Sequence, residues 1–390
     1  MSGLEELIQE LCPNGVEYKK FGEIVESLRK DTLKVTELVS DGKYPVINSG
    51  RTFYGFYNDY NNEGNAITIA SRGEYAGFIN YSEVKFWAGG LCYPYRSYDE
   101  RKISTKFLYY FLKHKESYIR NTLVAEGGIP ALNKADIEKI AIPCPPLGVQ
   151  SEIVRILDNF TLLTAELTAE LTARKEQYEY YREHLFSFEK DKTDWIPIEK
   201  LFDIKGGYTP SKDKSEYWEN GIIPWFRLDD INKNGRILFD ANQHITKSAV
   251  KKNGPFLENS IIITTSATIG EYALIKVPFV CNQRFTCLTL KKEYINNYNM
   301  KFLLYYCFKL STFCKEHLNK GNFASVDMAK FKQFKFPMIT MNKQNEIVEL
   351  LDKFEEYCSD STQGLPAEIE LRKQQYEYYR DKLLTFKELE

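Results

Sequence analysis

The chain has 390 residues, of which 43% are hydrophobic and 27% are charged, and its formal net charge is −2. This composition is typical of a soluble globular protein and excludes collagen-like and disordered chains, while the length predicts two or more domains, each with its own core. No apolar run approaches the roughly 20 residues needed to cross a bilayer, so we expect no membrane partner. Because the net charge is near zero, any nucleic-acid interface must be a local patch.

The chain begins with "MSGLEELIQELCPNG", which predicts an acidic amphipathic helix and lacks the basic and apolar regions of a signal peptide. We therefore expect a cytoplasmic protein. The first globular stretch, about 16–146, contains short β-prone runs such as "AITIAS" (66–71) and one amphipathic helix near 104–120. These features predict a mixed α/β domain with a strongly bent antiparallel sheet.

Two glycine-containing loops of this stretch carry basic residues. "NSGRTFYGFYN" (48–58) supplies Arg51 and Thr52, and "ASRGEYAGF" (70–78) supplies Arg72. Ammonium, guanidinium and hydroxyl groups beside exposed backbone amides suit phosphate oxygens. An arginine beside glycines is, however, most often a solvated turn residue.

A long helix is predicted after the breaker "PCPPLG". Apolar residues recur every three or four positions with no proline or glycine to stop the helix. This stripe comprises Ile153, Leu157, Phe160, Leu163, Leu167, Leu171, Tyr178, Tyr181, Leu185 and Phe188. Over about 40 residues it predicts a rod roughly 60 Å long.

The second globular stretch, about 195–340, has the same texture as the first. It contains the β-prone runs "SIIITTS" (260–266) and "RFTCLTL" (284–290) and one helix near 299–317. The segment "KGGYTPSKDKSEYWENGIIPWFRLDD" (205–230) places several polar and basic residues near a Gly206-Gly207 turn, followed by Trp225 and Arg227. Backbone amides at such a turn suit phosphates, and Arg227 or Arg284 could reach the O6/N7 edge of a guanine.

The C-terminal stretch repeats the phase of the long helix. "IELRKQQYEYYRDKLLTF" (369–386) carries Ile369, Tyr376, Tyr379, Leu383 and Phe386, so the two helical stretches could bury matching stripes against each other as a coiled coil. The alternative is a pair of core helices inside one large domain. Gly364 and Pro366 predict that the second rod breaks or begins late.

These similarities belong to a duplication of about 195 residues. "QSEIVRILDNF" (150–160) matches "QNEIVELLDKF" (344–354), and "QYEYYR" recurs at 177–182 and 375–380. Each half is therefore a variable globular stretch followed by a helical stretch.

No catalytic constellation is found among the usual motifs. The sequence lacks a phosphate-binding loop, a dinucleotide fingerprint, a zinc-protease motif and a nucleophile elbow. The eight cysteines form no Cys-x-x-Cys pair, which favours buried thiols over a zinc site or disulfides. With four scattered histidines, no metal site is expected.

The paired "QSEIVRILDNF" and "QNEIVELLDKF", the paired "RKEQYEYYR" and "RKQQYEYYR", the tandem TAEL words and "GGYTPSK...YWENGIIPW" resemble the specificity (S) subunits of type I restriction-modification enzymes. The resemblance covers essentially the whole chain. It implies a non-catalytic subunit that reads a split target in double-stranded DNA and docks two methyltransferase (M) subunits, alongside restriction/translocation (R) subunits. It also implies that the S-adenosylmethionine and ATP sites lie on those partner chains, so that this chain holds no cofactor.

The expected fold is α+β, with two target recognition domains separated by two long helices packed as an antiparallel coiled coil, in an internal pseudo-two-fold repeat. Its expected parts are a first recognition domain with an N-terminal helix (1–146), a central spacer helix (147–190), a second recognition domain (191–340) and a C-terminal spacer helix (341–390). The expected residues of the helix pair are Phe160, Leu167, Leu171, Tyr178, Tyr181, Leu185, Ile369, Tyr376, Tyr379 and Leu383. The expected DNA-binding residues are Arg51, Thr52, Arg72, Lys205, Gly207, Tyr208, Thr209, Ser211, Lys212, Trp225, Arg227, Asn282, Gln283 and Arg284.

Three alternatives remain open at this point. The chain could be a coiled-coil assembly scaffold whose variable domains bind protein, or an enzyme fragment with its own methylation activity. The tandem TAEL words (164–171) could set the distance between the two recognition domains, or they could simply be good helix-forming sequence.

Overall fold

A computed structural model describes residues 2–125, 127–189, 191–319, 324–359 and 364–389. The chain divides into two compact units: unit 1 is Met1–Glu170 with Leu365–Glu390, and unit 2 is Leu171–Gly364. Each globular half thus shares its unit with parts of both helical stretches. Within the described ranges, no helix is both long enough and apolar enough to cross a membrane.

The long helices follow the sequence prediction, whereas most of the short ones were not predicted. In chain order the helices are α1 (Ser2–Leu11), α2 (Phe21–Ile24), α3 (Thr105–His114), α4 (Glu116–Tyr118), α5 (Lys134–Glu138), α6 (Leu147–Leu185), α7 (Ile198–Leu201), α8 (Leu228–Asn234), α9 (Met300–Glu316), α10 (Met328–Gln333), α11 (Met341–Ser359) and α12 (Leu365–Leu383). The predicted helices near 104–120 and 299–317 are confirmed as α3 and α9, whereas the short helices α2, α5, α7, α8 and α10 were not predicted. The C-terminal stretch forms two helices, because Gly364 and Pro366 interrupt the helical pattern as expected.

Unit 1 contains two main sheets and two small ribbons. Its strands are β1 (Tyr18–Lys20), β2 (Val25–Ser27), β3 (Tyr44–Ile47), β4 (Gly55–Tyr57), β5 (Ala66–Ala70), β6 (Ile79–Ser82), β7 (Trp87–Ala88), β8 (Cys92–Ser97), β9 (Val124–Ala125), β10 (Ala131–Leu132) and β11 (Ala141–Pro143). The first main sheet is antiparallel with the order β2-β8-β5-β6, and the second has the order β4-β3-β7. The ribbons pair β1 with β11 and β9 with β10.

Unit 2 repeats this arrangement. Its strands are β12 (Asp194–Pro197), β13 (Phe202–Gly206), β14 (Ile223–Phe226), β15 (Ile237–Leu238), β16 (His244–Ile245), β17 (Ser260–Thr264), β18 (Tyr272–Ile275), β19 (Val280–Cys281), β20 (Phe285–Leu290) and β21 (Lys335–Met338). The main sheets have the orders β13-β20-β17-β18-β15 and β16-β14-β19, and β12 pairs with β21. The four strands β2, β8, β5 and β6 therefore correspond to β13, β20, β17 and β18.

The expectation of one bent antiparallel sheet in each half was wrong. A second sheet is present in each unit, and it contains a parallel pair, β3 with β7 and β14 with β19. Parallel neighbours need a long crossover, and here the intervening hairpins provide it. Alternation of apolar residues along a strand does not indicate the direction of its partner, so the sequence could not show this pairing.

The central strands form the core of each unit. All five residues of β5 and all five of β17 are buried, which explains the uninterrupted apolar character of "AITIA" and "SIIIT". In unit 1 the buried cluster joins β5 to α3 and to the start of α6 through Ile67, Phe107 and Leu157. In unit 2 it joins β17 to α9 and α11 through Ile263, Phe302 and Leu351. The helical stretches are thus packed directly on the sheets.

A buried glutamine ties each helical stretch to its globular half. Gln150 of α6 is 0% exposed; its Oε1 accepts from the Ser104 amide (2.8 Å), and its Nε2 donates to the carbonyls of Lys102 (2.9 Å) and Pro145 (2.7 Å). We call this set of three hydrogen bonds the glutamine clip.

The same clip occurs in unit 2. Gln344 of α11 is also 0% exposed, and it accepts from the Asn299 amide (2.8 Å) and donates to the carbonyls of Asn297 (2.8 Å) and Ile339 (2.9 Å). Both clips leave the side-chain amide satisfied inside the protein, as a buried polar group requires.

A second repeated contact lies two turns further along each helix. In unit 1, Asp158 accepts from the Tyr110 hydroxyl (2.6 Å) and pairs with Lys106 (3.0 Å). In unit 2, Asp352 accepts from the Tyr305 hydroxyl (2.6 Å) and pairs with Lys301 (2.6 Å). We call this contact the aspartate clip. The repeated Gln and Asp of the two motifs therefore have a shared structural role.

The predicted apolar stripe of α6 faces the neighbouring helices within each unit. In unit 1, Phe160 lies 5.4 Å from Tyr379 between ring centroids. In unit 2, Tyr178 and Tyr181 lie 6.3 and 5.6 Å from Phe354, and the Tyr178 hydroxyl donates to Glu355 (3.1 Å). These contacts account for the half-buried tyrosines of the helical stretches.

The remaining stripe residues vary in burial. Ile369 and Leu383 are buried. Half-buried positions are Leu167, Leu171, Leu185 and Tyr376, whereas Tyr181 is exposed. Because α6 ends at Leu185, Phe188 lies beyond the helix, where its ring packs against Phe186 and Trp195.

Candidate nucleic-acid interface

A cleft of about 630 Å³ opens in unit 2 at the ends of three neighbouring strands. The loop after β13, the junction of β14 with α8, and the turn between β19 and β20 each contribute to its walls. The cleft contains seven of the predicted DNA-binding residues, namely Thr209, Lys212, Trp225, Arg227, Asn282, Gln283 and Arg284. Residues that are far apart in sequence therefore meet at one site.

Gly207 lets the loop after β13 approach the β19–β20 turn. A Cβ atom at this position would lie 2.1 Å from the Asn282 carbonyl oxygen, so any side chain would clash with backbone. Next to it, the Tyr208 amide donates to the Cys281 carbonyl (2.7 Å). The glycine thus has a packing role here, and contact between Gly207 and DNA stays a prediction.

Two tryptophans form the wall of the cleft. Trp225 is only 4% exposed, and its Nε1 donates to the Tyr208 carbonyl (3.0 Å). Trp218 meets it edge to face at 4.9 Å and donates to the Ser211 carbonyl (3.0 Å). Trp225 therefore supports the loop that carries Tyr208 and Ser211, rather than presenting an open ring surface.

Arg227 is held at the start of α8 by a buried carboxylate. Asp230 is 0% exposed and accepts from the Arg227 amide (2.6 Å) and from both the amide and the side chain of Asn242 (2.8 and 2.6 Å). The guanidinium of Arg227 lies 5.7 Å from the Trp225 ring and 3.8 Å from Asp229. A cation is therefore fixed at the mouth of the cleft.

The β19–β20 turn presents three polar side chains in a row. Asn282 is anchored by its amide, which donates to the Phe226 carbonyl (3.1 Å), and its Oδ1 accepts from the Arg284 amide (3.0 Å). The Thr209 hydroxyl bonds to Oε1 of Gln283. The exposed Arg284 guanidinium has no ion-pair or hydrogen-bond partner among the residues that the structure describes.

Beside the cleft lies a second depression of about 230 Å³, lined by Lys205, Tyr208 and Lys251 together with backbone at Gly206 and Gly254. We call it the lysine groove. The Lys251 ammonium lies 4.3 Å from the centre of the Tyr208 ring, and the Lys251 amide donates to the Tyr208 hydroxyl (3.1 Å). Burial raises the pKa of Tyr208, so this hydroxyl stays neutral at physiological pH. Lys251 was not among the residues predicted to bind DNA.

Unit 1 has a smaller cleft of about 350 Å³ at the corresponding strand ends, with Thr32, Asn48, Gly89, Gly90 and Leu91 among its lining residues. The anchoring is equivalent, because the Gly89 amide donates to the Ile47 carbonyl (2.8 Å) as Asn282 does to Phe226. Asn48 accepts from the Leu91 amide (2.8 Å). Nearby, the Lys30 ammonium donates to the Gly90 carbonyl (3.0 Å).

The predicted site residues of unit 1 lie outside this cleft. Arg51 and Thr52 are exposed on the β3–β4 loop, where the Arg51 guanidinium lies 5.0 Å from the Tyr75 ring. The backbone of Arg72 pairs with that of Ala131 in a single antiparallel β-bridge. Sequence reasoning missed Asn48 and the glycine turn. Aligning "AGGL" (88–91) with "CNQR" (281–284) in the repeat would have found the turn, and aligning "YPVIN" (44–48) with "IPWFR" (223–227) would have found Asn48.

The cysteines serve as packing groups. Six of the eight are buried, Cys12 and Cys144 are half-buried, and all are free thiols. Burial raises the pKa of Cys92 and of Cys287 to about 12, which keeps both protonated. The prediction of buried thiols is confirmed. In the described ranges, no group of three or more His, Cys, Asp or Glu side chains could hold a metal ion.

Comparison with known families gives a match over most of the chain. The model described as type I restriction modification DNA specificity domain matches twice, at residues 13–176 and 192–371. The two matches fall on the two halves of the duplication.

Individual proteins show the same similarity. The type I restriction enzyme EcoR124I/EcoR124II specificity subunit of Escherichia coli is 37% identical over 99% of this chain and 97% of its own length. The EcoprrI specificity subunit of the same species is 52% identical, over half of each chain. Among solved structures, the type I S subunit of M. genitalium has a TM-score of 0.59 and 18% identity, covering 95% of this chain and 96% of that one.

Proposed function

The chain belongs to the family of type I restriction-modification specificity subunits, and on this basis we propose which role each of its parts has in DNA recognition. As a specificity subunit it is non-catalytic and directs the complex to its DNA target. The proposal concerns the role of each domain, the helices between them and the partner chains.

Each recognition domain reads one half of a split target, with residues 1–146 and 191–340 as the two domains. The repeated strand order and the two clefts at equivalent strand ends support this division. The single observation that carries it is the convergence of Arg227, Asn282 and Arg284 on one cleft in unit 2. Hydrogen-bond donors at a cleft mouth suit base edges in the major groove.

The helical stretches, 147–190 and 341–390, form an antiparallel coiled coil that fixes the separation of the two domains. In unit 2, Arg174 lies 6.0 Å from the Tyr357 ring, while Tyr178, one turn further along α6, reaches Phe354, which precedes Tyr357. The partner number falls as the α6 number rises, as it must between antiparallel helices. Together with the internal duplication, this supports a pseudo-two-fold arrangement.

Two methyltransferase subunits dock on the outer faces of these helices. The most exposed tyrosine of each repeated "QYEYYR" word occupies the same position, Tyr180 at 68% and Tyr378 at 63%. Two copies of one surface suit two copies of one partner. R subunits then join the complex, and the S-adenosylmethionine and ATP sites lie on these partners. We place the whole assembly in the cytoplasm.

The proposed reading function is tested by a gel shift with the methyltransferase subunits present. Duplexes that carry the split target, identified by sequencing methylated sites in the host, should bind far more tightly than random duplexes of equal length. Equal affinity for both would contradict the proposal. High salt should weaken the binding steeply, because phosphate contacts release counterions.

Docking is tested separately. Tyr180→Asp and Tyr378→Asp should each remove one methyltransferase subunit from the complex, measured by its mass in light scattering. Leu162→Asp, at another exposed site on α6, is the matched control and should leave the mass unchanged. Full assembly of both tyrosine variants would place the docking surface elsewhere.

A further inference from the structure

We propose that the unit 2 cleft reads a guanine through Arg284 and Asn282, while the adjacent lysine groove holds a phosphate of the same half-site. This inference rests on the proposed function, and it adds the class of base and the division of contacts between two neighbouring surfaces. The choice of base follows from which donors and acceptors of the turn are already bonded within the protein.

The internal hydrogen bonds of the β19–β20 turn engage the side-chain oxygens of Asn282 and Gln283. A backbone amide can only donate, so the contact from the Arg284 amide fixes Oδ1 of Asn282 as the acceptor (3.0 Å). Oε1 of Gln283 is likewise taken by the Thr209 hydroxyl. The NH₂ groups of these two side chains, which are donors, have no partner in the described part of the chain.

Arg284 adds the strongest donor of the turn. Its guanidinium carries five N–H groups and no acceptor, and in the described part of the chain nothing pairs with it. An unpaired, exposed guanidinium at the mouth of a cleft is available for a bidentate contact. The turn as a whole therefore offers donors to its ligand.

Guanine is the base whose major-groove edge matches this turn. It presents two acceptors, N7 and O6, whereas adenine presents one acceptor and one donor. The usual bidentate contact of Asn or Gln with adenine uses the carbonyl oxygen as an acceptor, and here each oxygen already accepts one hydrogen bond within the protein, which an adenine would have to share. A guanine edge satisfies the donors of Arg284 and Asn282 without breaking the turn.

Carboxylates in the same cleft weaken its attraction for a phosphate. Asp229 and Glu219 both line the cleft, and the Asp229 side chain is 62% exposed. A phosphate placed between them would be repelled, whereas the N4 amino group of the paired cytosine could donate to either carboxylate. The mixture of arginine and carboxylate thus fits a G·C pair better than the DNA backbone.

The lysine groove has the opposite character. Lys205 and Lys251 line it together with backbone at Gly206 and Gly254, and no carboxylate is among its lining residues. Tyr208 joins the two surfaces, because its hydroxyl accepts from the Lys251 amide while its carbonyl accepts from Trp225. A phosphate in the groove would therefore lie beside a base in the cleft.

The test uses the full chain with its methyltransferase subunits and target duplexes in which each guanine in turn is replaced by 7-deazaguanine, which lacks the N7 acceptor. With the wild-type chain, one replacement in one half-site should weaken binding about tenfold. With Arg284→Ala, the natural target should bind about tenfold more weakly or worse, and the same replacement should cause no further loss. Lys292→Ala, an exposed lysine of unit 2 outside both surfaces, is the control.

The outcomes separate the two proposals. If the wild-type complex does not prefer the split target over random DNA, the proposed function fails. If it keeps that preference but tolerates 7-deazaguanine at every guanine, or if Arg284→Ala shows the same sensitivity as the wild type, only the guanine inference fails. Thermal unfolding of Arg284→Ala should match the wild type, because the side chain is exposed and unpaired.

The phosphate contact is tested by salt dependence. Lys251→Ala should weaken binding to all targets by a similar factor, and the slope of log affinity against log salt should become shallower by about 1. Arg284→Ala should instead change the base preference at one position. A change in base preference with Lys251→Ala, or an unchanged slope, would overturn the assignment of the groove to phosphate.

Discussion

The two clefts occupy equivalent strand ends but differ in their side chains. In unit 2 the turn is Asn282-Gln283-Arg284, and in unit 1 it is Gly89-Gly90-Leu91. The two turns are anchored by equivalent backbone amides, and both units contain the glutamine and aspartate clips. The anchoring bonds do not involve the side chains that differ between the two turns, so one framework can carry two different cleft surfaces.

The largest effect should come from changing the distance between the clefts while leaving both unchanged. Inserting a third TAEL after Leu171 adds about 6 Å and a net rotation of about 40° to α6, while one base pair turns DNA by roughly 34–36° at a repeat of 10 to 10.5 pairs. We expect methylation to move to targets with both half-sites unchanged and the spacer one pair longer. Sequencing of methylated sites measures this.

An unaltered spacer would refute this role and leave TAEL as simple helix-forming sequence. The rise of 6 Å exceeds the rise of one base pair, so bending or sliding must absorb the difference. A second insertion of four different helix-forming residues is the control, and it should shift the spacer equally if helix length is the cause.

The next largest effect should come from the glutamine clips. Gln150→Ala or Gln344→Ala leaves one amide and two carbonyls without their partner in a buried site, and each such group costs roughly 1–3 kcal/mol. We expect a loss of about 3 kcal/mol or more in the free energy of unfolding. The Ser104 amide should exchange its hydrogen faster in Gln150→Ala, and the Asn299 amide should exchange its hydrogen faster in Gln344→Ala.

Gln283→Ala is the matched control, since that glutamine is exposed and should leave exchange at both amides unchanged. Equal opening of both amides in either clip variant would show that the two units are not anchored independently. The two units would then not behave as independent domains.

A smaller effect is expected at the helix contact of unit 2. Tyr178→Asp with Tyr181→Asp places charge beside Glu355 in a half-buried position, which should cost about 2–3 kcal/mol. The variant should fail to assemble with methyltransferase subunits in size-exclusion chromatography, while circular dichroism shows both recognition domains folded. Tyr376→Asp with Tyr379→Asp is the counterpart in unit 1, and retained assembly by both would count against the helical pair.

The smallest effect concerns the aspartate clips at alkaline pH. Burial first, and then the neighbouring carboxylates, raise the pKa of Tyr110 and Tyr305. A tyrosine whose pKa is raised on folding contributes stability that is complete below about pH 10 and declines as the pH rises above it. Tyr110→Phe and Tyr305→Phe should each lower the free energy of unfolding by about 1 kcal/mol at neutral pH. Each should also reduce the further loss of unfolding free energy at alkaline pH.

Urea unfolding at pH 8 and pH 11 measures this difference. Both variants should reduce the alkaline loss, and Tyr305→Phe should do so more than Tyr110→Phe, because the Tyr305 hydroxyl also bonds to Glu355 (3.1 Å). An alkaline loss equal to that of the wild type would mean that other tyrosines dominate the titration.

Sequence reasoning succeeded where a feature is local. The stripe of α6, the buried strands β5 and β17, and the cluster of polar residues after Gly207 are all visible within a short window. The contact that brings Asn282 to Phe226 is different, because it depends on the parallel pairing of β14 with β19 across more than 50 residues. The same limitation placed the unit 1 candidates at Arg51 and Arg72 instead of Asn48.

The glutamine clips have a consequence for how such a chain can change over time. Gln150 and Gln344 bond only to main-chain atoms of the segments that they hold. Main-chain amides and carbonyls are the same for every residue except proline, so neither clip detects which other side chains the globular half carries. A different globular half with the same loop path would be held equally well, so one half of the chain could be exchanged for another without loss of this attachment.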